Sequence, residues 1–433
     1  MPYQPYSVHT IAREFRDKDF IDVPNLLDEN YRKEILKKSV NLATEPHFHK
    51  ALFKKIHVKK KDGYSAKNIQ TKLLLRTCSR DLRFTTKRRT PERNLITREL
   101  KQVIRNGTKF RIYKLDIKSF FESMQHHSLK LLIDEDTRLS THLKKLLFSY
   151  LDTYNQLTGS DLGVPRGVDL SSAVGEYYLE HFDKMMQRNT KVIYYARFVD
   201  DIIIVTNNDE KQHEFMKFVF NNLPSGLRVN KNKEQILTFG PKLKAHNKSE
   251  EIQTFSFLGY KYIIRDESQL SETKNTPKEV YEPRKVIVDI SDGKTKKIKT
   301  KISKAIISCS ANLDISLLRD RVIFLATNRS ITRDKKQGAI ETGIFYNYSE
   351  CTEELNNFKS IDSFLNAILH DKSRLGKKLN HSINHSLLSN EEKKEMLQEI
   401  QKVRSISFYR GHTERKKRRF GAVRMKKILE IEQ

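Results

Sequence analysis

The stretch Tyr194-Tyr195-Ala196-Arg197-Phe198-Val199-Asp200-Asp201-Ile202-Ile203-Ile204-Val205 constrains this chain more than any other. Two adjacent carboxylates sit between two runs of β-branched and aromatic residues. Each run is long enough for a strand, and the acidic pair falls where the chain must turn. The pattern predicts a β-hairpin with Asp200 and Asp201 at or next to its tip. Placing them there is costly. Like charges side by side repel, and the flanking apolar residues partly desolvate them. A bound divalent cation would relieve both problems. A lone Asp-Asp pair reads best as an ordinary acidic turn, so the rest of the chain decides.

The charge balance narrows the partners. Lys and Arg number 82 against 54 Asp and Glu in 433 residues, a formal charge of +28. A surface so basic repels itself unless a polyanion offsets it, which makes nucleic acid the leading partner and an anionic membrane surface the weaker one. No run approaches 18 uninterrupted apolar residues, so no segment reads as membrane-spanning, and the start lacks an apolar signal core. Cys78, Cys309 and Cys351 are few, odd in number and scattered. They fit a reducing cytoplasm rather than a disulfide framework or a Cys-rich zinc site. His47 and His49 read as surface or packing residues.

Residues 1 to about 70 show helical pieces, with helical spacing from Tyr31 to Leu42. The basic stretch Lys54 to Lys61 suits a phosphate contact or a Lys-protected strand edge, and Asp62-Gly63-Tyr64 reads as a loop. From Lys72 to Leu100 the basic density rises. Arg76, Arg80 and Arg83 read as a solvated helix face. Lys87 and Arg93 flank the Thr90-Pro91 break and are placed to converge on one phosphate. Phe110 to Asp116 predicts a strand ending in an acid, with Ser119 to Leu132 helical. Gly163-Val164-Pro165-Arg166-Gly167 predicts a loop leading into a helix from about Ser172 to Met186, with a Ser N-cap. After the hairpin come a helix over Gln212 to Leu223, a turn from Gly226 to Lys233 and a strand over Ile236 to Phe239. Thr254 to Tyr262 reads as one aromatic strand interrupted by a glycine. Ser268 to Pro283 reads as a linker. Lys294 to Lys304 predicts a basic helix that turns apolar, and Ile344 to Tyr348 an aromatic cluster. In the tail, Arg415-Lys416-Lys417-Arg418-Arg419, with Phe408, Tyr409 and Phe420 interleaved, suits RNA contact better than a nuclear address or a solvated end.

Asp116, Asp200 and Asp201 thus come from separate strands with helix between them. Strand, helix, hairpin, helix, strand is the order of a split βαβ unit. Three carboxylates meeting at its end could hold two Mg²⁺ ions about 3.5–4 Å apart.

At this point the chain resembles a reverse transcriptase. The Asp116 strand with Phe120-Phe121 is similar to that family's first catalytic motif, and Gly163 to Gly167 to its template-positioning motif. Phe198-Val199-Asp200-Asp201 is similar to its Tyr-x-Asp-Asp box, with Phe for Tyr. Gly226 to Lys233 resembles the motif that follows, Phe257-Leu258-Gly259-Tyr260 the primer grip, and Lys72 to Ile96 the fingers. The resemblance covers residues 72 to 262 in the family's order. It implies an α+β right-hand polymerase with fingers, a split-βαβ palm and a mainly α-helical basic thumb. The implied division is 1–70 as an N-terminal helical extension, 71–115 as fingers, 116–267 as palm, and 268–433 as thumb and basic RNA-binding region.

Roles follow position by position. Asp116 and Asp200 would be the principal metal ligands, with Asp201 the third carboxylate. Lys87 and Arg93 would grip the incoming triphosphate, with Ile117 beside the dNTP. The Phe121 ring would clash with a ribose 2′-hydroxyl. Lys233 would protonate pyrophosphate, with Lys231 as its competitor. Pro165, Arg166 and Gly167 would support the templating base pair, and Phe198, Leu258 and Gly259 the primer. In finer detail the chain is similar to bacterial defence-associated enzymes of the unknown group, above all the first polymerase of the type 3 system. That implies a bacterial cytoplasmic protein acting against phage, with a non-coding RNA as template or scaffold, a DNA product and a companion reverse transcriptase subunit. The readings left open are an RNA-binding scaffold with a degenerate palm, a retron or group II intron-like enzyme, and a template-independent DNA polymerase.

Overall fold

The computed structural model describes residues 6–44, 52–58, 61–87, 92–242, 250–266, 283–332 and 339–430. The chain forms two compact units. One comprises Met1–Glu92 and Lys109–Pro241, the other Arg93–Thr108 and Lys242–Gln433. No helix among the described residues is long and apolar enough to cross a membrane. His47 and His49, and most of the linker expected over Ser268 to Pro283, lie outside the described residues.

The first unit is built on one antiparallel sheet. Its N-terminal part carries a hairpin, β1 (Phe53–Val58) and β2 (Lys61–Ala66). The sheet itself comprises β3 (Phe110–Asp116), β4 (Val192–Phe198), β5 (Asp201–Thr206) and β6 (Gln235–Phe239), in the order β4-β5-β3-β6. β5 pairs antiparallel with both β3 and β4, so β3 and β4 run parallel with β5 between them, which is the split βαβ arrangement. The run Ile202, Ile203, Ile204, Val205 explains why β5 is central. All four side chains are fully buried, so both faces of that strand are covered. Val174, Tyr178 and Phe182 pack beneath it from the crossover helices. Tyr178 is anchored further by its hydroxyl, which donates to Ser225 O at 2.7 Å.

Several local expectations change. Asp62-Gly63-Tyr64 lies within β2, not in a loop. Arg76, expected on a solvated face, is buried, because Asp19 accepts from it at 2.5 Å and Asp169 at 3.2 Å. The helix expected from Ser172 to Met186 is two helices, Asp169–Tyr178 and Glu180–Arg188, meeting at Leu179. Val168 occupies the N-cap of the first without a side-chain bond, and Ser171 Oγ instead donates to Pro165 O at 2.6 Å. Between Ser119 and Leu132 a short 3-10 turn, Phe120–Glu122, precedes the helix His126–Glu135.

The second unit holds a three-stranded antiparallel sheet of β7 (Glu250–Phe257), β8 (Tyr260–Asp266) and β9 (Lys285–Ile290), and a hairpin of β10 (Asn328–Thr332) and β11 (Ala339–Gly343). The stretch read as one interrupted strand is therefore two. Leu258 and Gly259 both take positive φ and make the turn, which a glycine permits. Helices make up most of the rest. The longest, Asp292–Asn312, opens on Ser291, whose Oγ accepts from Lys294 N. The basic tail is tied down in part. Asn328 N donates to Lys416 O at 2.7 Å, Arg418 N donates to Asn328 O at 2.8 Å, and the Arg415 guanidinium lies 4.1 Å from the centre of the Phe345 ring.

Candidate active site

The sheet register brings the three acids together. Asp116 ends β3 directly opposite Asp201, the first residue of β5, and Asp201 also faces Phe198 at the end of β4. Asp200 lies in the intervening turn, where its carbonyl accepts from Ile117 N at 3.0 Å. One strand end and one hairpin tip thus meet because β5 is inserted between β3 and β4.

The electrostatics match the expected strain. Burial pushes the Asp200 carboxyl up, and the charge of Asp116 adds to it. Burial likewise raises Asp201, with Asp200 and Asp116 reinforcing it, to about 6. Burial also lowers Lys114, against the pull of Asp201 and Asp116. The nearest compensation falls on Asp116. Lys233 Nζ donates to its Oδ1 at 2.7 Å and Asn230 Nδ2 to its Oδ2 at 3.1 Å. Asn230 N closes the same turn by donating to Asp116 O at 2.7 Å. Lys114, Asp116, Asp201, Asn232 and Lys233 line an open cavity of about 370 Å³ here.

This donor set is chemically suited to a hard divalent cation, since every acid offers oxygen. As placed, no three His, Cys, Asp or Glu side chains among the described residues close around an ion. The Lys233 ammonium bonds to one of the Asp116 oxygens and so competes with a cation for that acid.

Arg197 carries a role that sequence reasoning missed. Its side chain is 3% exposed and pairs with Glu176 at 2.7 Å and Asp183 at 2.8 Å, one acid from each crossover helix. Tyr195 OH also donates to Asp183, at 2.6 Å. Burial opposes the Arg197 charge, but Asp183 and Glu176 outweigh it and hold its pKa above the ordinary value. A further donor of Arg197 reaches Val199 O at 3.0 Å. Val199 has φ 60°, a left-handed conformation that a β-branched residue adopts under strain. Arg197 therefore clamps the strained residue that immediately precedes Asp200. Asn230 is the second residue missed. Nothing in the turn's sequence singled it out from Asn232.

The expected template loop is fixed by its neighbours. Val164 N donates to Phe121 O at 2.7 Å, and Tyr64 N donates to Arg166 O at 2.8 Å. Gly167 has φ 101°, and a Cβ there would stand 2.8 Å from Tyr64 O, so this position requires glycine. Arg166 pairs with Glu122 through two bonds of 2.8 and 2.9 Å, and its guanidinium lies 5.6 Å from the centre of the half-buried Phe121 ring. Pro165 and Ile117 are held in the same region by the Ser171 bond and by pairing of Ile117 with Val229.

Lys87 ends the helix Ile69–Thr86 in a left-handed conformation, exposed, in the same unit as the acids. Lys231, the competitor of Lys233, is exposed in the turn before β6. Arg93, Leu258, Gly259 and Arg415 to Arg419 belong to the second unit. There Arg93 lies 5.4 Å from the centres of the Tyr260 and Tyr348 rings and donates to Asn347 O. Leu258 and Gly259 form the β7–β8 turn. Lys416 and Lys417 pair with Glu414 and Glu341, while Arg418 and Arg419 are exposed.

Residues 49–262 match the family described as reverse transcriptase (RNA-dependent DNA polymerase). The chain therefore carries a reverse transcriptase domain over these residues. Among curated proteins none matches the chain. Solved structures similar to it include telomerases. An apo telomerase from Candida tropicalis, truncated from its C-terminal domain, is 18% identical over 43% of this chain and 42% of its own, with a TM-score of 0.29. Telomerase from Candida albicans with a fragment of telomeric RNA is 14% identical over 83% and 53%, at 0.31. The corresponding Candida tropicalis complex is 14% identical over 89% and 64%, at 0.34. The chain thus spans less than two thirds of each of these telomerase chains, and scores this low fall short of a shared overall fold.

Proposed function

We propose that this protein copies an RNA template into DNA at the Asp116, Asp200 and Asp201 site, with two Mg²⁺ ions as cofactor. The observation that carries the reading is the register: Asp116 opposite Asp201, with Asp200 one residue away in the turn. Asp116 and Asp200 would be the principal ligands and Asp201 the third. When bound, the ions supply charge stabilisation for a 3′-hydroxyl nucleophile and a pyrophosphate leaving group. The chain's own residues do the rest. Arg197 holds the Val199–Asp200 turn in position. Lys233 moves from Asp116 toward the leaving group as a proton donor, and Lys231 is its competitor for that part. Phe121 excludes a ribose 2′-hydroxyl beside Ile117. Pro165, Arg166 and Gly167 back the templating pair, and Phe198, Leu258 and Gly259 contact the primer. Lys87 and Arg93 grip the triphosphate.

In this reading 71–115 contributes the fingers, 116–267 the palm and 268–433 the thumb, following an N-terminal extension over 1–70. The tail from Arg415 to Arg419 contacts RNA. The motif likeness to defence-associated enzymes supports a bacterial, cytoplasmic, antiphage role with a non-coding RNA and a companion reverse transcriptase subunit. The test is to purify the full chain with its bound nucleic acid, sequence that RNA, and measure dNTP incorporation with Mg²⁺. RNA-dependent incorporation is expected, and Phe121→Ala should raise ribonucleotide incorporation about ten-fold or more, the scale of one lost steric discrimination. A purified chain that incorporates no dNTP on any bound or added RNA would refute the proposal.

A further inference from the structure

The loop from Gly163 to Gly167 runs into a helix that does not cap itself. Val168 stands at the N-cap of Asp169–Tyr178 without a side-chain bond, so the first turn is held from outside. The long helix Ile69–Thr86 supplies the hold. Arg76 Nε donates to Asp169 Oδ2 at 3.2 Å, Ser79 Oγ to Asp169 O at 3.2 Å, and Arg83 to Ser172 Oγ at 3.1 Å. Positions 76, 79 and 83 recur at three- and four-residue spacing and so share one helix face. The turn passes the hold on to the loop. Ser171 Oγ donates to Pro165 O at 2.6 Å, and Val168 N donates to the same carbonyl at 3.3 Å.

Arg76 is itself aimed by the N-terminal segment. Its two outer nitrogens meet the carboxylate of Asp19 at 2.5 and 3.3 Å, and Nη1 also donates to Glu14 O at 2.9 Å, which leaves Nε for Asp169. Asp19 is fully buried and the Arg76 side chain is 4% exposed, whereas Asp169 is 38% exposed. Asp19 is fixed in turn by Arg16 N at 2.9 Å and Lys72 Nζ at 2.8 Å. A planar guanidinium with donors in a fixed fork transmits direction, because holding one edge orients the other. A buried pair of this kind adds little net stability over an apolar contact of the same size, so its distinctive effect is to choose an orientation. We propose that Asp19 and Arg76 are positioning residues for the Pro165–Gly167 loop, acting through Asp169, so that the N-terminal segment governs how selectively that loop backs a templating base pair. The effect on selectivity rests on the polymerase reading, and the positioning does not.

The test uses the full chain and the variants Asp19→Asn, Arg76→Lys and Asp169→Asn. Arg76→Lys keeps a charge beside Asp19 but cannot span both acids, and it serves where Asp19→Asn fails to fold. The first readout is amide hydrogen exchange. Exchange at Val164 and Val168 should quicken about ten-fold in each variant, the scale of one lost bond to a charged group, while Ile202 to Val205 in β5 exchange as in the parent. Unchanged exchange in the loop overturns the proposal. So does an equal rise in the loop and in β5, which is what a merely structural pair would give. The second readout is the ratio of kcat/KM for matched against mismatched dNTP on a defined RNA template and DNA primer. This ratio does not depend on how much of the enzyme is folded. It should fall about ten-fold in each single variant, within the cost of a slight misplacement, and no further in Arg76→Lys with Asp169→Asn, because both act through one contact. Additive losses in that pair would overturn the relay. A parent chain that makes no DNA refutes the polymerase reading, and hydrogen exchange then decides the positioning by itself.

Discussion

Two clusters of charge sit at either side of one turn, and they are solved in opposite ways. Behind the turn, Arg197, Glu176, Asp183 and Tyr195 form a buried knot in which the cation meets both acids and the phenol meets one. Ahead of it, Asp200 and Asp201 face Asp116 with the exposed Lys233 as the nearest ion-pair partner, and that partner bonds to Asp116. Both clusters draw on Phe198's strand and the residues beside it. The knot gives each of its acids a buried cation partner within the chain, so it reads as architecture. The tip leaves charge unneutralised at a cost, and burial with mutual repulsion raises both carboxyls of the pair. Chains retain such an imbalance where something they do not contain completes it.

The largest effect expected from breaking this contrast comes at the tip. Asp200→Ala with Asp201→Ala should reduce DNA synthesis by about 10⁴-fold or more, the scale on which catalytic groups acting as a unit are lost. Its melting temperature should hold or rise, because two strained charges are gone. A clear loss of stability would place the pair with the knot, as structure. The knot should respond in the reverse order. Arg197→Met strands two buried carboxylates and is expected to destabilise the fold by about 3–5 kcal/mol, read from urea unfolding. Replacing Arg197, Glu176 and Asp183 together by apolar residues should restore most of that. Arg197→Lys keeps a charge but cannot serve both acids and Val199 at once. It should lower kcat more than it raises the KM for dNTP, the signature of a displaced Asp200. Equal kcat in Arg197→Lys and the parent would remove Arg197 from the list of positioning residues.

Between the clusters stands Lys233. Lys233→Met should slow the chemical step about 10²-fold if it is the proton donor. It should change stability by no more than about 1 kcal/mol, since Lys233 itself is largely exposed and buried Asp116 keeps its bond from Asn230. Single-turnover incorporation separates these. A wild-type rate constant in Lys233→Met would pass the role to Lys231 or to water.

How much of this the sequence discloses depends on whether a signal is local. The hairpin was legible because alternating β-branched and aromatic runs flank the acids, and the meeting of the three acids was legible because Asp116 and Asp201 sit at strand ends with Asp200 in the adjoining turn. The fate of Arg76 was not. Its neighbours Arg80 and Arg83 share its helix, and nothing nearby in sequence announces Asp19 and Asp169 as partners. Arg197 was hidden for the same reason, since Glu176 and Asp183 reach it only once the crossover helices pack under the sheet. The Leu258-Gly259 turn was misread as an interruption because aromatic residues continue on both sides of it, and the antiparallel pairing of β7 with β8 is a tertiary fact.

The smallest expected effect tests the contrast most directly, through pH. Asp201 has a folded pKa raised from the ordinary 3.8 to about 6, so folding penalises its charged form. The folded state then binds a proton more tightly than the unfolded chain does between those two values. Stability contributed by this group therefore rises as pH falls through about 6 toward 3.8, and the penalty is fully present above 6. This is the reverse of a paired carboxylate, whose contribution is lost on acidification. The measurement is the difference in unfolding free energy between the parent and Asp201→Asn, in chelator, from pH 7.5 to 5. The variant removes the contributions of other raised carboxyls such as Asp289 and Glu14 from that difference. The parent should gain on the variant as pH falls. Added Mg²⁺ at pH 7.5 should stabilise the parent and flatten the trend, because a bound cation provides what the proton otherwise would. Parallel curves in chelator would mean that the tip is as well compensated as the knot, and the contrast between them would be gone.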